Sequence, residues 1–263
     1  MKNNRLTPDS QMLEYGIMKP YSNISCFSTT RRGGCGEGAY ATFNCTHYCG
    51  DRPEHVSANL ETLAGLLPGP PRTFVIPRQT HTTNVRVITD IPTQEELQNV
   101  DAVVTHLKNV CLCVSTADCV PVLLYDKEKQ AVAAIHAGWR GTVGRIVERT
   151  IETMRLHYGS DGKDIIACIG PSISLESFEV GDEVYAAFAE AGFDMTRIAW
   201  KYEKWHLDLW ETNRLQLLTH GVLPEHIEVA GICTYQQHED FFSARRLGIQ
   251  SGRILSGIML KGV

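Results

Sequence analysis

The sequence predicts an α+β fold, and three observations carry that reading. Strand-length apolar runs alternate with single amphipathic helices. Two of the runs, VPVLLY at 120–125 and AVAAI at 131–135, flank the polar break DKEK, which is the pattern of a β-hairpin. Neither GxGxxG nor a GxxxxGK loop occurs, so nothing points to a doubly wound nucleotide-binding sheet. The 263 residues suffice for one large domain or two small ones, and no Gly/Ser linker, low-complexity segment or internal repeat divides them.

The elements follow in order. Residues 1–20 read as a lead-in with a first strand. The next segment, NISCFSTTRRGGCGEGAYATFNCTHYCGD, has glycines at 33, 34, 36 and 38 around Arg31 and Arg32. It is either a surface turn or a loop whose backbone approaches a ligand, and its arginines and amides suit an anion such as phosphate. Residues 53–67 place Val56, Leu60, Leu63 and Leu67 at helical spacing, and Pro68-Gly69-Pro70-Pro71 ends the helix. TFVIPRQTHTTNVRVIT reads as a strand, a polar interruption bearing His81, and a second strand. A histidine there is either solvated or oriented by its polar neighbours, as metal-bound imidazoles are. Val103 and Val104 mark a short strand. VCLCVST is another, with Cys111 and Cys113 as core thiols.

Beyond the hairpin, TVGRIVERTIETMRLHYG reads as one amphipathic helix closed by Gly159. Its start lies directly behind Trp139-Arg140-Gly141, where the helix dipole and Arg140 both favour an anion. DIIACIGPSIS is a strand broken at Gly170-Pro171. GDEVYAAFAEAG and HLDLWETNRLQLLTHGV are helices, the second capped by Asp208. HIEVAGICTY and GRILSGIMLKG are strands, and FFSARRLG between them is a polar loop carrying Arg245 and Arg246.

Composition narrows the setting. A formal charge of −5 gives no electrostatic reason to expect nucleic acid or an anionic membrane. No run approaches the roughly 20 apolar residues of a membrane span, and the N-terminal stretch lacks a signal peptide's apolar core. Nine cysteines without such a signal indicate free thiols in a reducing, cytoplasmic compartment.

The chemistry gathers in residues 101–141. With the hairpin turn centred between Lys127 and Glu128, residues whose numbers sum to 255 face each other, and Cys119 and His136 do so. Directly opposed residues share a face with Cβ atoms about 5 Å apart. Cys119, His136 and His81 then suit zinc, with three protein ligands and a fourth position open, the arrangement of catalytic zinc. A metal-free alternative makes Cys119 a nucleophile and His136 its base. A third reading leaves a buried cysteine and two satisfied histidines. Asp118, a carboxylate beside Cys119, needs a partner, either a ligand imidazole or Arg140. The last-turn positions of His157 and His220 are explained by helix capping.

Several segments together resemble the YfiH/YlmD family, also called laccase-domain or polyphenol-oxidase-like proteins. They are STTRRGG, FNCTHYCGD, RQTHTTNV, DAVVT, TADCVPVLL, IHAGWRG, IGPSIS, HLDLWETNRLQLLTHGV and FFSARRLGIQSGR, in the family's order over about 28–253. The resemblance implies a single-domain layered α/β sandwich over 1–263 with mixed, largely antiparallel sheets. It implies a zinc site on His81, Cys119 and His136, with Asp118 beside it and Arg31, Asn44, Arg140 and Arg246 toward substrate. The implied chemistry is phosphorolysis of purine nucleosides, methylthioadenosine included, and deamination of adenosine. Other assignments within the family are a copper-dependent polyphenol oxidase and an editor of peptidoglycan precursors. Copper binds most nitrogen and sulfur sites tightly, but the chain has no His-x-His pair of the kind that bridges clustered coppers. Two positions depart from the family pattern: Thr82 stands where glycine is usual, and Ala244 where an aromatic often stands.

Overall fold

A computed structural model describes residues 10–262, so residues 1–9 of the expected lead-in lie outside the described residues. In chain order the strands are β1 (Met12–Glu14), β2 (Ile24–Thr29), β3 (Thr73–Val75), β4 (Val85–Val87), β5 (Ala102–Thr105), β6 (Val110–Thr116) and β7 (Val120–Asp126). There follow β8 (Ala131–Ala137), β9 (Ile165–Ile169), β10 (Glu179–Val180), β11 (Ala199–Lys201), β12 (Trp205–Leu207), β13 (Ile227–Val229) and β14 (Ile254–Leu260). The α-helices are α1 (Pro53–Leu66), α2 (Trp139–Val143), α3 (Ile146–Tyr158), α4 (Asp182–Glu190), α5 (Met195–Ile198), α6 (Leu209–Thr219) and α7 (Ala244–Leu247).

Two large sheets form the sandwich. One runs β1-β2-β14-β6-β3, the other β13-β9-β7-β8-β5-β4, and a small β10-β12-β11 sheet stands beside them. Pairings are antiparallel except β3–β6, β4–β5 and β9–β13. The strands are apolar on both faces because both faces are covered. Leu112 and Val114 of one sheet meet Leu123, Tyr125, Val132 and Ala134 of the other in the central core. The far face of the six-stranded sheet presents Val122, Leu124, Ala133 and Ile135 to Ile146, Ile151 and Met154 of α3 and Leu209 and Leu217 of α6. On the opposite side, Cys111 and Cys113 pack with Phe27 and with Leu63 of α1, confirming them as core thiols. The α+β expectation therefore holds, as four layers in the order helix, sheet, sheet, helix.

The hairpin exists, but its register differs from expectation. Asp126 pairs with Ala131 and Pro121 with His136, so the turn contains 127–130 and opposed numbers sum to 257. Asp126 causes the shift: its Oδ1 accepts the N–H groups of Glu128 and Lys129, both at 2.9 Å, and Gln130 enters the left-handed region at φ 52°. Cys119 consequently lies just before the strand rather than opposite His136.

Four other expectations are corrected. The single helix after HAGWRG is two, separated at Gly144-Arg145, with Arg145 at φ 63°. A Cβ on Gly144 would lie 2.5 Å from Thr83 Cγ2, so glycine lets the helix break pass close over the loop that follows His81. HIEVAGICTY is a strand only over Ile227–Val229, while the FFSARRLG loop folds into the short α7, capped by Ser243. His220 does more than end α6: its Nε2 lies 3.2 Å from Glu148 Oε2 on α3.

Candidate active site

Two of the links that cross between the large sheets carry site residues. The link from β3 to β4 leaves the five-stranded sheet for the six-stranded one and bears His81; the link from β6 to β7 makes the same passage and bears Cys119. His136 stands near the end of β8 and is 3% exposed, whereas His81 is exposed and Cys119 half-buried. At both crossings the backbone enters the left-handed region at a residue other than glycine, with His81 at φ 63° and Asp118 at φ 86°. Such a conformation persists only where the surroundings hold it.

Asp118 holds the second crossing. Its Oδ1 accepts the Thr234 hydroxyl and its Oδ2 the Arg245 backbone N–H, each at 2.7 Å, while its carbonyl accepts the Ile173 N–H at 3.0 Å. The expected partners, a ligand imidazole or Arg140, are thus not the ones it has. With its carboxylate tied to 234 and 245, the bend at 118 re-aims Cys119 toward the imidazoles.

The carboxylate beside His136 is Asp101, which is fully buried. Oδ1 accepts His136 Nδ1–H at 2.8 Å and the His81 backbone N–H at 2.9 Å. Oδ2 accepts the Thr82 N–H at 2.8 Å, the Thr82 hydroxyl at 2.6 Å and the Thr80 N–H at 3.3 Å. One carboxylate therefore orients the ring of one histidine and the backbone of the other, and it leaves His136 Nε2 free to face Cys119. The sequence reading passed over Asp101. Its available signal was a charged residue opening the buried run AVVT, which demands nearby donors.

His81, Cys119 and His136 each offer one ligand atom, and all three atoms lie within 4.8 Å of one another. Cys119 Sγ is 3.7 Å from His81 Nε2, and the two imidazoles cross at 68° with centroids 4.9 Å apart. A tetrahedral zinc with ordinary Zn–S and Zn–N bonds needs a sulfur–nitrogen edge of about 3.6 Å. The donor set and spacing fit that ion. Among the described residues no other group of three or more His, Cys, Asp or Glu converges in this way, so the donors suit one ion and not a copper cluster. Gly138 of HAGWRG makes the closeness possible, since a Cβ there would lie 2.8 Å from His81 Cδ2 and 3.1 Å from Cys119 Sγ.

Electrostatics agrees with this geometry. Burial pushes the Cys119 thiol up, but the charge of His136 and hydrogen bonds with both imidazoles outweigh it and bring the pKa to about 6. Burial would lower His136, but the Cys119 thiolate and Asp101 raise it to about 9. Asp101, despite burial, is held at about 2 by its bonds from His136 and Thr82. In the absence of metal both shifts run toward the thiolate–imidazolium form of the pair.

Residues 25–261 match the family described as multi-copper polyphenol oxidoreductase laccase. A protein of Bacteroides thetaiotaomicron named purine nucleoside phosphorylase is 56% identical over 97% of this chain and 98% of its own. The chain belongs to the YfiH/YlmD family. A further family relative, from an unknown prokaryotic organism, is named adenosine deaminase RL5 and is 43% identical over 92% of this chain and 96% of its own. The solved YfiH/YlmD structure from Bacillus licheniformis, titled hypothetical protein YfiH, superposes with TM-score 0.90 at 29% identity, covering 99% of this chain and all (100%) of that one.

In this YfiH/YlmD chain the four expected substrate contacts differ in availability. Arg31 donates through Nε and Nη2 to the Ala41 carbonyl at 2.9 and 2.7 Å and through Nη1 to the His238 carbonyl at 2.8 Å. It braces its Gly-rich loop rather than presenting an open cation. Asn44 is fully buried, donating to Asp51 at 2.9 Å and accepting the Arg253 N–H at 3.1 Å, so it also works inside the fold. Arg140 is exposed over the Trp139 ring at 4.2 Å, two residues from Gly138, and pairs with no carboxylate among the described residues. Arg246 is exposed beside Tyr235, its Nη1 at 3.4 Å from the phenol oxygen.

Proposed function

We propose that this chain is a zinc-dependent purine nucleoside phosphorylase that also acts on methylthioadenosine and deaminates adenosine, working in the cytoplasm as a single domain. The observation that carries the reading is a convergent Cys/His/His trio, its His81 exposed to solvent, in a chain similar over more than nine-tenths of its length to relatives named purine nucleoside phosphorylase and adenosine deaminase. His81, Cys119 and His136 would hold the ion, and zinc bound there would supply Lewis acidity. Asp101 keeps the proton on His136 Nδ1. Arg140, free of carboxylate partners, is the cation best placed to meet phosphate, and Arg246 is a second. No helix among the described residues is long and apolar enough to cross a membrane, in keeping with a small-molecule substrate met in water.

The test is incubation of adenosine with and without phosphate, followed by chromatography. Adenine and ribose 1-phosphate formed only with phosphate support the reading, and inosine formed without it supports the deaminase activity. No turnover of any purine nucleoside overturns it. One observation favours a second reading: Cys119, His136 and Asp101 stand in the order nucleophile, base and orienting carboxylate, as a thiol hydrolase of amides such as peptidoglycan precursors requires. Stoichiometric zinc whose removal abolishes turnover excludes that hydrolase. Copper with oxidation of a phenol would instead return the polyphenol oxidase reading.

A further inference from the structure

The loop bearing His81 belongs to neither a helix nor a strand, and it is fastened to Asp101 by three consecutive backbone N–H groups, those of Thr80, His81 and Thr82. The Thr82 hydroxyl adds a fourth tie. A hydroxyl has one proton to give. Here the candidates are Asp101 Oδ2 at 2.6 Å and the Asn99 carbonyl at 3.4 Å, so the proton goes to Asp101. On its other side the same hydroxyl accepts the Asn84 N–H at 3.2 Å, which fixes its direction. The branched threonine side chain has few rotamers to lose in holding that pose.

We infer that Thr82 is a positioning residue for the metal centre: its hydroxyl locks Oδ2 of Asp101, which turns Oδ1 toward both the His136 ring and the His81 backbone. This rests on the metal-site reading above. Without the hydroxyl, Oδ2 keeps one close N–H, from Thr82, and one long one at 3.3 Å, from Thr80. The carboxylate can then rotate, and the two imidazoles lose their common anchor. Thr82 touches no ligand atom of the site, so its effect travels through Asp101.

The experiment compares the full-length protein with Thr82→Val, which removes the hydroxyl at constant shape, and Thr82→Ser, which restores it. Zinc affinity is measured by competition with a chromophoric chelator, and the downfield Nδ1–H resonance of His136 is followed in the metal-free proteins. Expected are a zinc affinity weakened about tenfold in Thr82→Val, an Nδ1–H signal broadened by exchange, and both restored in Thr82→Ser. Unchanged zinc affinity with a sharp Nδ1–H signal in Thr82→Val overturns the inference. So does a Thr82→Ser variant as impaired as Thr82→Val, or a lowered thermal midpoint with both site readouts intact. If the unaltered protein takes up no zinc, the metal reading fails, and the His136 resonance still decides the role of Thr82.

Discussion

Gly138 and His81 stand so close that a single added carbon on the glycine would lie 2.8 Å from the imidazole Cδ2. The Gly138 backbone, at φ −65° and ψ 168°, is one that alanine adopts freely. Gly138→Ala should therefore keep the fold and displace His81 and Cys119 from their common point. Zinc affinity is expected to fall at least about tenfold, against about 1–3 kcal/mol of lost stability in the metal-free protein. Chelator competition and denaturant unfolding measure the two. Equal zinc affinity in the variant would show that the loop yields without harm to the site.

Asp101→Asn keeps the shape but offers an amide where His136 Nδ1–H and the neighbouring N–H groups need a carboxylate. Metal affinity should drop about 10–100-fold, with turnover falling in parallel. Zinc titration and steady-state rates check this, and a variant with both intact would remove Asp101 from the site.

The thiol of the metal-free protein gives a pH test. Cys119 ionises at about 6, so alkylation by iodoacetamide should be fast at pH 7.5 and fall about tenfold per unit below pH 6. In His136→Ala the largest lowering influence is gone and His81 alone opposes burial, so the midpoint should rise from about 6 toward about 8.5, the ordinary thiol value. Zinc-loaded protein should be protected throughout. A midpoint of about 6 in both proteins would mean that His136 does not set it.

Asp118 is expected to matter as an anchor rather than through a proton. Asp118→Ala removes the acceptor of the Thr234 hydroxyl and of the Arg245 N–H. Amide hydrogen exchange at Arg245 should speed up, and stability should fall by about 1–3 kcal/mol. Protection unchanged at Arg245 would contradict the contact.

Much of this was legible in the chain. Val56, Leu60 and Leu63 announced α1, Asp208 announced the start of α6, and the DKEK break announced the β7–β8 hairpin, because each signal is local. The trio of His81, Cys119 and His136 was reached although the register used to join two of them was wrong, since a side chain at a bend can be aimed by its neighbours. The partners of Asp101 were not legible, because its donors at 80–82 and 136 become neighbours only after the chain folds. The division between α2 and α3 likewise depends on Thr83 passing under Gly144, a contact far along the chain. The bracing role of Arg31 was not legible, because a guanidinium in a Gly-rich loop gives no sign that backbone carbonyls will claim it.

The place of β14 has a consequence for biosynthesis. It lies between β2 and β6 in the five-stranded sheet, pairing with Ile24–Thr29 on one side and Val110–Thr116 on the other. While residues 254–260 are still inside the ribosome, both of those apolar strands have an open side on the growing chain. The nascent protein must therefore wait with two adhesive strand margins uncovered, a state in which chaperones have a target and slow translation near this end carries a risk of aggregation.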